Sequence, residues 1–72
     1  METRMFDRPV TVRSADGQHW QTFGRGERVK NIKRIRQRVT FEPVDTHRVA
    51  RTYVMDWSEF ENKTTAVREA RA

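Results

Sequence analysis

Seventy-two residues make one domain at most, and a chain this short buries only about 60% of the surface its unfolded form exposes. Hydrophobic and charged residues each supply 35% of it, and the absence of cysteine excludes disulfide staples, thiolate zinc sites and a thiol nucleophile. The net charge is +5, and no apolar run approaches the ~18 residues of a membrane span or resembles a signal peptide.

Residues 1–8 are expected to form an extended arm, because Pro9 restricts the residue before it. Docking of the arm as an edge strand is the alternative. Val10 to Ser14 alternates apolar and polar residues, the period of a half-buried strand. Ala15-Asp16-Gly17 then reads as a hairpin turn and His19 to Phe23 as the returning strand. A two-residue Asp-Gly turn would pair Arg13 with Trp20 and Val10 with Phe23, leaving Trp20 on the face away from the valines. A three-residue loop would pair Val12 with Trp20. Burial of the indole favours the second register.

Gly24-Arg25-Gly26 breaks the strand. From Glu27 to Val39 the apolar residues Val29, Ile32, Ile35 and Val39 are spaced three, three and four apart, which predicts a helix with its basic residues on the opposite side. A strand is the competing prediction, since all four apolar residues are β-branched. Arg38 to Glu42 reads as a strand, Pro43 to Thr46 as a turn, and His47 to Met55 as the longest strand. Asp56 then caps a C-terminal helix. Glu59 stands at the capping-box position, Met55 and Phe60 at the staple positions, and Phe60, Thr64 and Val67 are expected on one helical face. Residues 66–72 are expected to fray. The fold class expected is α+β: a small antiparallel sheet of three to four strands, a C-terminal helix and a central basic helix, in a single domain spanning 1–72.

The basic charge is localised. Between Arg25 and Arg38 stand seven basic residues (Arg25, Arg28, Lys30, Lys33, Arg34, Arg36 and Arg38) and one acid, Glu27, for a local charge of +6. The remaining eight basic and nine acidic residues sum to −1, with a small acidic cluster at Asp56, Glu59 and Glu61. Such a run suits phosphate neutralisation with counterion release, and its arginines suit bidentate contacts. Catalytic chemistry finds no support. His19 and His47 are isolated, no residues have metal-ligand spacing, and Gly24-Arg25-Gly26 lacks the rest of a phosphate loop. The expectation is a non-enzymatic protein without cofactor or metal. The aromatics Trp20, Phe41, Tyr53, Trp57 and Phe60 are assigned to the core.

Two functions follow from the charge. The first is a regulatory, nucleic-acid-binding module acting in transcription, with DNA or RNA held by segment 25–38. The second is a protein-binding regulator or inhibitor that docks on an acidic surface of a host assembly, with Met5, Phe6 and Trp20 as candidate anchors. In size, charge and freedom from motifs the chain resembles, as a class, the small proteins that phages encode to redirect host RNA polymerase. That resemblance implies RNA polymerase as the acidic partner and transfers no functional residue. A cytoplasmic protein without a membrane partner is expected, as monomer or homodimer.

Overall fold

Antiparallel strands account for most of the computed structural model, which describes residues 2–45 and 47–67. In chain order they are β1 (Arg4–Phe6), β2 (Val10–Ser14), β3 (Trp20–Phe23), β4 (Arg28–Ile35), β5 (Arg38–Pro43), β6 (Tyr53–Asp56) and, after the helix α1 (Trp57–Lys63), β7 (Thr64–Ala66). They form one sheet in the order β3-β2-β6-β5-β4-β1-β7, curled into a half-barrel around the core. Alternation along each strand sends Val10, Val12, Phe23, Val29, Val39, Phe41, Tyr53 and Met55 to the concave side, where Phe6 and Phe60 complete the core. The rings of Phe6, Phe23, Phe41, Tyr53 and Phe60 meet at centroid distances of 5.1–6.3 Å, within the range of favourable aromatic pairs.

This architecture corrects the α+β expectation. The sheet has seven strands rather than three or four, and the central basic segment is strand β4, not a helix. A β-bulge explains the misleading spacing. Lys30 pairs with Glu42 and Lys33 with Thr40, so Asn31 and Ile32 together face the single residue Phe41. Asn31 takes φ 52°, a left-handed value that asparagine tolerates. The extra residue puts Ile32, rather than Asn31, against the core that Val29 enters, and a strand thereby shows the three-residue spacing of a helix. Ile35 is 69% exposed and belongs to no apolar stripe.

The segment expected as the longest strand is also corrected, since only Tyr53–Asp56 is extended. Residues 47–52 instead form a loop held down by Arg48, whose guanidinium donates to the Glu27 carboxylate and to the Thr22 carbonyl (2.9 Å) and lies 4.2 Å from the Phe23 ring centroid. The Ala50 amide donates to the Tyr53 hydroxyl at 3.1 Å. The helix begins where its cap predicts, with Asp56 accepting from the Ser58 and Glu59 amides. It ends at Lys63, however, and Thr64 to Ala66 continue as a strand rather than as a helical face. The N-terminal arm is extended and lies inside the sheet, with Arg4 opposite both Val29 and Ala66. Of the expected tail, Ala66 pairs in β7 and the Val67 amide donates to the Thr3 carbonyl. Residues 68–72 lie outside the described residues.

Candidate functional site

Ion pairing divides the basic residues into two groups. Among the described residues Arg4 pairs with Glu2, Arg8 with Asp7, Arg48 with Glu27, Arg51 with Glu42 and Lys63 with Glu59. None of those cations belongs to the basic run. The seven run residues have no carboxylate oxygen among the described residues within 4.0 Å. Arg13 shares that condition, alone among the described cations outside the run. Its place is legible only from the sheet register, because in sequence it sits singly in an ordinary strand.

Strand alternation then decides which unpaired charges share a face. In β4 and β5 the inward positions are Val29, Ile32, Val39 and Phe41, so Arg28, Lys30, Lys33 and Arg38 project from the convex side. Without the bulge Lys33 would turn inward; with it, Lys33 stands on the same face as Lys30. Arg13 opposes Trp20 on β3 and Val54 on β6, and therefore joins this face. Its strand-borne carboxylates are Glu42 and Asp56, and Glu59 of the helix borders it. Glu42 accepts from the Asn31 amide at 3.1 Å and lies 3.9 Å from Arg51, Asp56 caps the helix, and Glu59 pairs with Lys63. Five cations against three occupied carboxylates leave the convex face positive.

The other run residues stand apart from that face. Arg25 is exposed in the turn of residues 24–27, where the Gly24 amide donates to Glu27 Oε1 at 2.9 Å and the Gly26 amide to the Phe6 carbonyl at 2.8 Å. Arg34 turns toward the helix, with its guanidinium 4.6 Å from the Trp57 ring centroid and its Nε donating to the Arg36 carbonyl at 2.9 Å. Arg36 occupies the two-residue tip between β4 and β5 at φ 57°, a conformation that costs a non-glycine residue about 1 kcal/mol. The tip persists because the Trp57 amide donates to the Gln37 carbonyl at 2.7 Å.

Two apolar assignments change. Trp20 is 67% exposed rather than core, because the sheet adopts the register that pairs Arg13 with Trp20 and Val10 with Phe23. The turn that sets it is a four-residue loop. The Gly17 amide donates to the Ser14 carbonyl, Gly17 takes φ 76°, and Asp16 accepts from the Ser14 hydroxyl and the Gln18 amide. The Ser14 hydroxyl above all, then the Gln18 amide, hold the Asp16 carboxyl below its ordinary range. Phe6 is fully buried and is no partner anchor. Met5 is half-buried on the convex side, opposite Arg28.

Among the described residues no three acidic or histidine side chains cluster as metal ligands, and no helix is long and apolar enough to cross a membrane. The surface is a basic sheet face flanked by an exposed aromatic. No protein family, characterised protein or solved structure matches the chain.

Proposed function

We propose that this protein is a non-enzymatic nucleic-acid-binding module whose convex sheet face holds the phosphate backbone, acting as a regulator in transcription. The division of the cations carries the proposal. Among the described residues every cation outside the run except Arg13 has a carboxylate partner, whereas the run residues that project from the sheet have none. Unpaired arginines and lysines on one face attract phosphates and release their counterions on contact. The left-handed Arg36 points the same way. Glycine would suit the position better, and among the described residues no hydrogen bond, ion pair or aromatic ring holds the Arg36 side chain.

Fluorescence anisotropy of labelled single- and double-stranded DNA and RNA, titrated between about 50 and 200 mM salt, tests this. Sub-micromolar binding at the low end with a steep salt dependence is expected. Failure to bind any of the four at the lowest salt would overturn the proposal and leave an acidic protein surface, such as one on RNA polymerase, as the partner. That partner would show a gentler salt dependence and a reliance on the exposed Ile35 and Trp20.

A further inference from the structure

Six of the seven aromatic rings are buried or half-buried; Trp20 is not. Its indole lies on the convex face at the edge strand β3, with the Arg13 guanidinium 5.8 Å from the ring centroid. Burial in the core would remove more apolar surface from water, and the turn around Gly17 forgoes that. The pairings of five strands then set Trp20, Arg13, Val54, Thr40 and Lys33 in one cross-strand row. Four steps of about 4.8 Å give this row a length of about 19 Å.

Beside the row the sheet opens. Strands β2 and β6 pair only at Arg13 with Val54 and at Ser14 with Tyr53, and past these pairs a cleft of about 410 Å³ is lined by Trp20, Arg13, Arg38, Val54, Asp56 and Glu59. Arg13 and Arg38 offset the carboxylates of Asp56 and Glu59 in the cleft, which therefore suits an uncharged group, while the two guanidiniums at its rim and Lys33 farther along the row lie where a charged backbone can pass.

We propose that the convex face binds single-stranded nucleic acid, with one base stacked on Trp20 at the mouth of the cleft and the flanking phosphates on Arg13, Arg38 and Lys33. The inference rests on the nucleic-acid function proposed above and narrows its substrate. Every unpaired base offers a π-face to an indole, whereas a duplex keeps its base faces within the stack. The ring supplies stacking whatever the base, and DNA and RNA strands share the chemistry.

The test titrates wild type, Trp20→Phe and Trp20→Ala with a labelled single-stranded DNA, the RNA of the same sequence, and the duplex. The exposed position makes both variants compatible with folding. Wild type should prefer the single strands, Trp20→Ala should weaken them by roughly 5- to 100-fold, and Trp20→Phe should retain most of the affinity. Duplex binding should be unchanged by either substitution, and a DNA–RNA difference would identify the natural strand. Single-strand binding that Trp20→Ala leaves intact, or a wild-type preference for duplex, would overturn the stacking site while sparing the phosphate-binding function. Absence of binding to every probe would overturn both.

Discussion

Between β2 and β3 the chain turns on Asp16 and Gly17; between β4 and β5 it turns on Arg36 and Gln37. The first tip uses residues suited to a turn. Gly17 takes its positive φ without a Cβ penalty, and the Asp16 carboxylate is satisfied by the Ser14 hydroxyl and the Gln18 amide. The second tip has neither advantage. An arginine occupies the left-handed position, and the turn is held from outside by the helix N-terminus and from within the hairpin by Arg34. The difference separates residues chosen to make a turn from residues carried on one. Strain at an exposed cation without a carboxylate among the described residues fits the function proposed for this part of the sheet better than a role in making the turn.

Four experiments sharpen or break this comparison. The largest effect is expected from Lys33→Gln combined with Arg38→Gln beside the second tip. Affinity for a single strand near 0.1 M salt should fall roughly 25-fold, with a salt slope shallower by about 1.4, and the melting temperature should barely move. The paired cations provide the control, since Arg8→Gln with Arg51→Gln should leave binding within about twofold. At the first tip, Gly17→Ala meets open space but keeps the positive φ. It should destabilise the protein by about 1 kcal/mol, a fall of about 4–8 °C in a thermal melt. The mirror substitution, Arg36→Gly, should stabilise by about 0.5 kcal/mol and raise the melting temperature by about 2–4 °C, at the expense of nucleic-acid affinity. An unchanged or lower melting temperature would show that the arginine is not strained.

The smallest effect concerns pH. The Ser14 hydroxyl and the Gln18 amide hold the Asp16 carboxyl below the ordinary carboxylate range, so its contribution is fully present above that range and is lost as pH falls through the lower folded value. Asp16→Asn should therefore be slightly less stable than wild type at neutral pH, and the two melting curves should converge in acid. A gap that persists at the acid end would assign the effect to turn geometry rather than to charge.

The same contrast governs what could be read from sequence. The parity of Val10 and Val12 and the cap at Asp56 were legible because local chemistry and final structure agree there. The second hairpin was not. Its bulge at Asn31 places Ile32 three residues after Val29 on the inward side, and an exposed Ile35 extends the pattern by coincidence, so a strand carried a helical signature. Buried area alone favours Trp20 in the core, whereas its position is fixed by a four-residue turn that pairs it with Arg13. Residues 47–52 read as a strand because Val49 and Ala50 fit one, but their course follows Arg48, whose contacts with Glu27, Thr22 and Phe23 are all distant in sequence. The basic run was plain from composition. That Arg13 joins its face, and that Arg34 leaves it, depends on register, which sequence alone does not state.

The place of β1 between β4 and β7 has a consequence for how the molecule is made. Arg4 lies opposite Ala66 and donates to the Thr64 hydroxyl and carbonyl at 2.7 and 3.2 Å, so β1 finds its β7 neighbour only when residues 64–66 have been synthesised. Loop-closure entropy on that scale slows the search for the native state, and until it ends the nascent chain exposes a strand edge and the ring of Phe6. Synthesis must therefore reach β7 before this sheet can close.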